Sequence, residues 1–334
     1  MVAPEKQTEH VELPDVPDRP LVIKTRELTK SFGGDVAVNA ISMDVPEGAI
    51  FGFIGPSGSG KTTTVRLLMG LFEPDSGEVS VLGERPSRFS RRDRERIGYL
   101  PQLFVLYPDL TVWENMNFAA SLYGVSFIRG KRLHQLLDLV ELWQDRHKLV
   151  RNISGGMQRR LSLAATLIHN PSLLFLDEPT AGIDPILRKK FWDYFKMLQS
   201  RGHSLFITTQ YVGEAAYCDF VGVMSEAKLV TVNTPEGLRH EAYGGDIIKL
   251  GSTERIDYNF RREVQELPEL KSRIVNATDY ELQLLVDDAA TAMPYLVEYF
   301  RNRRKSVNSV ENYLPSYDDV FVRLIEKHRN EENG

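Results

Sequence analysis

The chain has 334 residues, 42% apolar and 26% charged, with a net charge of −5. That length predicts two domains, the composition excludes a fibrous or wholly disordered chain, and the mild acidity argues against a polyanion-binding surface as the main function. The single cysteine, Cys218, excludes a disulfide framework or CxxC metal site, and no run reaches the roughly 18 apolar residues of a membrane-spanning helix.

Residues 1–20 carry Pro4, Pro14, Pro17 and Pro20 among several acids and lack the apolar segment of a signal peptide; a flexible tail is expected. From Leu21, "LVIKTRELTKSF" predicts an opening strand. "AIFGFIG" (49–55) predicts a buried strand, and "KTTTVRLLMGLF" a helix with Val65, Leu68, Met69 and Phe72 on one side. "SLLFLDEP" (172–179) and "SLFITT" (204–209) are apolar runs with little alternation, as in strands covered on both faces within a parallel sheet. The segment at about 104–170 reads as a helical insertion in this α/β core. From "GDIIKL" (245–250) onward, a strand, a helix, a strand and a final helix predict a small α+β domain, giving expected domains of 21–244 and 245–334.

The loop between the buried strand and the helix is "GPSGSGKT" (55–62), which fits G-x-x-x-x-G-K-[ST]. Gly55, Gly58 and Gly60 let successive N–H groups turn inward onto phosphate oxygens, with Pro56, Ser57 and Ser59 between them. Lys61 adds a positive charge, the Thr62 hydroxyl can ligate Mg²⁺, and Thr63 continues the helix whose positive end faces the phosphates. Such a loop needs an acid for the metal. Asp177 ends "LLFL" where a strand would deliver it, and Glu178 follows to polarise a water. The implied chemistry is phosphoryl transfer to water. "ISGGMQRR" (153–160) places Ser154, Gly155 and Gly156 before a helical run, as a second phosphate-binding helix start or as a plain cap with a glycine turn.

In this order the motifs resemble the ATP-binding subunits of ABC transporters, in particular the drug, antibiotic and lipid exporter branch typified by daunorubicin-resistance ATP-binding proteins. The resemblance covers 21 to about 240. It implies a P-loop nucleotide-binding domain with a helical subdomain, ATP and Mg²⁺ as cofactors, and a homodimer of such domains paired head to tail on an integral membrane permease. It also implies a place at the cytoplasmic face of the membrane; no nucleic-acid partner is expected from the mild net charge. Phe32 matches the aromatic that stacks on adenine, and Gln102 in "GYLPQ" matches the Q-loop residue, near catalysis and the metal. Ser154, Gly155, Gly156 and Gln158 match the signature, Asp177 and Glu178 the metal acid and catalytic glutamate, and Asp184 the D-loop. The chain departs from the family at Ile153, where leucine is usual, and at Gln210, which replaces the switch histidine. A glutamine still donates a hydrogen bond but cannot become a cation, so Gln210 is expected to be a neutral γ-phosphate sensor. Residues 245–334 resemble the accessory C-terminal domain of the same branch, with a regulatory or dimer-contact role.

Three further features have milder readings. The arginines at 85, 88, 91, 92, 94 and 96 alternate with acids and predict a solvated helix face. Trp113, Phe118 and Tyr123 are core aromatics or, by the resemblance, anchors for a permease helix. His169 and His203 are expected to have structural roles. Two other functions fit the same motifs: a soluble ATPase acting on a macromolecular assembly, and a nucleotide-gated scaffold without turnover.

Overall fold

The computed structural model describes residues 19–103, 105–126, 128–267, 270, 272–303 and 307–333; most of the expected N-terminal tail lies outside them. Two compact units meet at Thr234/Pro235. The first begins with β1 (Leu21–Phe32), β2 (Asp35–Pro46), β3 (Ile50–Ile54), α1 (Lys61–Leu68) and β4 (Ser76–Val81). Then come α2 (Arg91–Glu95), β5 (Ile97–Leu100), α3 (Val112–Leu122), α4 (Gly130–Leu139) and α5 (Gly155–Thr166). It closes with β6 (Leu173–Asp177), α6 (Pro185–Ser200), β7 (Ser204–Thr209), β8 (Phe220–Ser225) and β9 (Lys228–Asn233).

The expected parallel sheet is present, in the order β5-β6-β7-β3-β8-β9, parallel throughout except for the antiparallel β9. Its central strands β3, β6 and β7 are buried at every position, the physical counterpart of their unbroken apolar runs. Phe206 sits at the centre, 5.4 Å from Phe51, 5.2 Å from Phe53 and 5.7 Å from Phe175, centroid to centroid. A second sheet, β2-β1-β4, is antiparallel and shares one core with α1 and the parallel sheet, through Ile23, Leu28, Ile41, Leu68 and Val81. The helices α3, α4 and α5 form the expected insertion and have their own core around Met116, Leu137 and Leu161. Among the described residues no helix is long and apolar enough to cross a membrane.

Helix α1 ends earlier than its apolar spacing predicts. Gly70 has φ +69°; its N–H donates to the Leu67 carbonyl (3.0 Å), while Leu71 N–H donates to that of Arg66 (2.8 Å). These two bonds form a left-handed C-cap that turns the chain out of the helix. Met69 and Phe72 still pack on the core, but from the turn beyond it. All six arginines between 85 and 96 are exposed, as a solvated face requires. His169 Nε2 lies 2.9 Å from the Ile97 carbonyl oxygen and His203 Nδ1 2.6 Å from that of Pro171, both structural contacts. Cys218 is buried beside Gly52, its Sγ donates to the Glu214 carbonyl at 3.6 Å, and burial pushes the thiol pKa far up.

The second unit comprises α7 (Pro235–Tyr243), β10 (Asp246–Ser252), α8 (Tyr258–Gln265), β11 (Arg273–Ala277), β12 (Glu281–Val286), α9 (Ala289–Arg303), β13 (Val307–Tyr313) and α10 (Tyr317–Asn333). Its boundary precedes the expected 244/245 because α7 belongs to it. Arg323 of α10 stacks on Tyr243 at 4.2 Å and Arg239 of α7 on Tyr317 at 4.0 Å. The strand order β11-β12-β10-β13, antiparallel at every pairing, with α8 and α9 as crossovers, is a β-α-β-β-α-β ferredoxin-like plait. Ile248, Leu250, Leu282, Leu284, Leu296 and Phe300 are buried within it.

Candidate active site

The site is assembled where β3, β6 and β7 deliver their C-terminal ends side by side. After β3, residues 55–60 turn into α1. Gly60 holds the left-handed conformation there, φ +100°, and a Cβ at this position would stand 2.2 Å from the Ala37 carbonyl oxygen. Lys61 is buried and its Nζ donates to the carbonyls of Gly55 and Pro56, both at 2.8 Å. Burial pushes the Lys61 pKa down, an effect opposed by the charges of Glu178 and Asp177. Two of the three ammonium donors are thus used within the loop, which leaves one for an anion.

Asp177 is 1% exposed at the end of β6. Its Oδ1 accepts from Thr62 Oγ1 (3.2 Å) and from Thr208 Oγ1 (2.5 Å). Glu178 has φ +47°, an uncommon backbone state for a non-glycine residue. It is held there by its N–H, which donates to both Thr208 O and Thr208 Oγ1 at 3.0 Å. Gln102 Nε2 donates to Glu178 Oε2 at 2.8 Å, so a residue 76 positions away in sequence meets the carboxylate.

Beneath this pair lies Arg159, 2% exposed, on α5. Its guanidinium donates to the carbonyls of Pro179 (2.9 Å), Gln102 (2.7 Å), Pro101 (3.3 Å) and Asp177 (3.4 Å), and to that of Glu178. One side chain therefore joins the segments bearing Gln102 and Glu178. Desolvation lowers the Arg159 pKa, and the nearby Asp177 and Glu178 charges counter it.

The remaining expected residues make contacts of their own. Phe32, 44% exposed at the end of β1, meets Phe72 edge-on at 5.2 Å. Lys30 and the Ser31 N–H beside it both bond to Asp75, at 2.7 Å each. Ser154 caps α5 by accepting from Met157 N–H (3.3 Å), and Gln158 Nε2 donates to the Val150 carbonyl (3.2 Å). Asp184 caps α6, accepting from Ile186 and Leu187 N–H at 3.0 Å. No hydrogen bond among the described residues links Ser154, Gly155, Gly156 or Asp184 to the 55–62 loop. Gln210 is exposed just beyond β7. Sequence reasoning missed Arg159 and Thr208. Arg159 lay within the quoted "SGGMQRR", but no spacing rule points to Thr208.

The loop fits a nucleotide phosphate on one observation. Ser59 Oγ is buried inside it with no hydrogen bond among the described residues. For a hard divalent cation, the Thr62 hydroxyl and Asp177 carboxylate supply adjacent oxygens.

Comparison with known proteins agrees with this geometry. Residues 38–181 match the family model described as "ABC transporter". The chain is 36% identical over 222 residues to the probable multidrug ABC transporter ATP-binding protein YbhF of Escherichia coli, covering 66% of this chain but only 38% of that protein. It is 35% identical over 297 residues to the Nod factor export ATP-binding protein I of a Rhizobium species, covering 88% of this chain and 94% of the relative. With the linearmycin resistance ATP-binding protein LnrL of Bacillus subtilis the identity is 32%, over 80% of this chain and 86% of the relative. Among solved structures, the ATP-binding subunit of an ABC transporter superposes with a TM-score of 0.60 at 25% identity, covering 66% of this chain and 92% of the other. A dimeric post-hydrolysis cassette bound to ADP and Pi, MJ0796, gives 0.59 at 24% identity, covering 64% and 98%, and speaks for the fold alone. The chain belongs to the ATP-binding subunits of ABC transporters, with the nucleotide-binding domain, helical subdomain and C-terminal α+β domain laid out above.

Proposed function

We propose that the chain is the Mg²⁺-dependent ATPase subunit of a membrane exporter of drug, antibiotic, lipid or polysaccharide type, in the branch of daunorubicin-resistance ATP-binding proteins. One observation carries the reading: the Glu178 carboxylate, bonded to Gln102, stands next to the Asp177–Thr62 pair beside the glycine loop. Lys61, Ser59 and the backbone of 55–62 would hold the ATP phosphates, Phe32 would stack on the adenine, and Thr62, Asp177 and Gln102 would hold the magnesium. A bound nucleotide would supply the phosphoryl group, and a magnesium held by these residues would spread the charge developing on it. Glu178 orients and takes a proton from the attacking water, Thr208 fixes both acids, and Gln210 donates its amide to the γ-phosphate as a neutral sensor. Ser154, Gly155, Gly156, Gln158 and Asp184 would meet the nucleotide of a second copy; in this chain the hydroxyl of Ser154 and the carboxylate of Asp184 cap helices and the Gln158 amide bonds to Val150.

The permease is proposed to dock on the helical subdomain, with the chain held at the cytoplasmic face of the membrane. Phe118 and Tyr123 are both 37% exposed and Leu122 69%, whereas Trp113 is half-buried and packs edge-on against Trp143 at 5.9 Å. Phe118 and Tyr123 are thus better anchors than Trp113. The relatives named for Nod factor export and linearmycin resistance support the exporter branch. The C-terminal unit is assigned to regulation or dimer contact.

Steady-state Mg-ATP hydrolysis by the purified chain, with and without its co-purified membrane partner, tests the proposal. E178Q should lose at least about a hundredfold in kcat, the range of a missing general base, while still binding ATP. Equal rates in wild type and E178Q would remove the assigned catalyst. Turnover absent even from the assembled complex would leave a nucleotide-gated scaffold. Co-purification with a soluble assembly, and with no membrane protein, would favour the soluble ATPase.

A further inference from the structure

Behind the end of β7 lies a buried charge with sparse support. Glu214 is 2% exposed, and among the described residues neither of its carboxylate oxygens has a hydrogen bond. It pairs with Arg188, whose Nε stands 3.6 Å from Oε1 and also lacks a hydrogen bond. Burying the Glu214 carboxylate against an arginine that is still 29% exposed, at this separation and without a hydrogen bond to either carboxylate oxygen, is a poor source of stability. The location of the pair is informative. Arg188 lies in the first turn of α6, its N–H donating to the Asp184 carbonyl at 2.9 Å. Its guanidinium also covers the Tyr211 ring, 4.1 Å from the centroid. Tyr211 directly follows Gln210, and its N–H donates to Thr209 Oγ1 at 3.0 Å. Gln210 is exposed, and among the described residues no hydrogen bond from its side chain holds it, so the backbone on either side sets its place. Thr209 is buried on one side, and on the other Arg188 grips both Tyr211 and Glu214.

We propose that Arg188 is a positioning residue which, through the Glu214 carboxylate and the Tyr211 ring, fixes Gln210 toward the γ-phosphate and ties that placement to the Asp184 loop. The inference rests on the ATPase reading of the site. Arg188 touches no reacting atom and acts only through Gln210. Since Asp184 is proposed to meet the other copy's nucleotide, the same side chain would let one site register the occupancy of the other.

The test is a kinetic cycle. R188M should lower kcat about ten- to a hundredfold, the usual cost of misplacing a group beside the chemistry, with ATP affinity changed less than about twofold. In a Q210A background R188M should cost nothing further. R188K, which keeps the charge but not the planar stacking on Tyr211, should recover part of the loss. R188M/E214L removes both charges; it should restore the thermal midpoint without restoring kcat. An equal R188M loss in the Q210A background, or a loss that disappears with the restored midpoint, would make the pair merely structural and overturn the proposal. So would an unchanged kcat.

A second measurement needs binding only. Trp192 of α6 stacks on Tyr217 at 5.0 Å, within the segment that follows Gln210, and the chain has three tryptophans. In W113F/W143F protein, Mg-ATP should change Trp192 fluorescence, and R188M should abolish the change while a fluorescent ATP analogue still binds. A response of full size in R188M overturns the proposal. If wild type and E178Q hydrolyse equally, it is the ATPase reading that fails, and the fluorescence comparison still decides whether Arg188 couples α6 to the Gln210 segment.

Discussion

Gly60 shows how much a single backbone position settles. A methyl group there would meet the Ala37 carbonyl at 2.2 Å and hold a conformation, φ +100°, that side chains disfavour. G60A is expected to weaken ATP binding roughly ten- to a hundredfold, from a backbone strain of about 1–3 kcal/mol, as read by equilibrium titration with a fluorescent analogue. Gly60, Lys61, Thr62, Asp177 and Glu178 were legible from the sequence because each falls inside one of two short motifs, 55–62 and 172–179, whose residue types read as a phosphate loop and its acidic partner. Thr208 and Arg159 were not. Thr208 reaches Asp177 across 31 positions and Arg159 reaches Gln102 across 57, so only the folded sheet brings them together. The Arg188–Glu214 pair was hidden for the same reason. Glutamate and arginine at ordinary surface spacing announce nothing until burial is known.

Among the elements, the parallel strands were the easiest to read, since burial on both faces leaves an unbroken apolar run in β6 and β7. Strand β2 was harder, although it is twice as long as many. Its pairing with β1 shifts register between Thr25 and Leu28, where Glu27 has φ +49°, and Ala40 on β2 has φ +48°. Bulges of this kind break the two-residue alternation on which a strand reading depends. The same reading overran α1, because Met69 and Phe72 stay apolar for the core after Gly70 has already ended the helix. The element with most at stake is β7. Phe206 is fully buried among three other rings from β3 and β6. F206A should destabilise the first unit by about 3–5 kcal/mol, measured as a lowered denaturant midpoint of its transition.

The whole molecule has separate cores in its two units, around Phe206 and Leu68 in one and around Leu284 and Phe300 in the other. Calorimetry of the intact chain should therefore resolve two transitions. ATP with magnesium should raise only the one belonging to the first unit, by about 2.7 kcal/mol at a hundred times Kd. A single transition, or a shift of both, would mean that the two cores unfold as one. The sequence predicted a second domain because the character of the chain changes after residue 245. It misplaced α7 because "PEGLRHEAY" carries no apolar stripe of its own, with only Pro235 and Leu238 buried along it. Nor was the plait topology legible, since four short strands and two helices fit several sheet orders until the pairing of β10 with both β12 and β13 is seen.

The burial of Cys218 has a practical consequence. A thiol reacts as its thiolate, and here the thiolate is suppressed by burial while the sulfur donates to the Glu214 carbonyl. In the native protein iodoacetamide should leave Cys218 unmodified over hours and label it promptly in denaturant, as mass spectrometry would read. The chain can thus be treated as its own cysteine-free background. One cysteine introduced on the surface would take a spin label or dye alone, and pulsed alkylation of Cys218 would time each opening of the layer between β3 and β8.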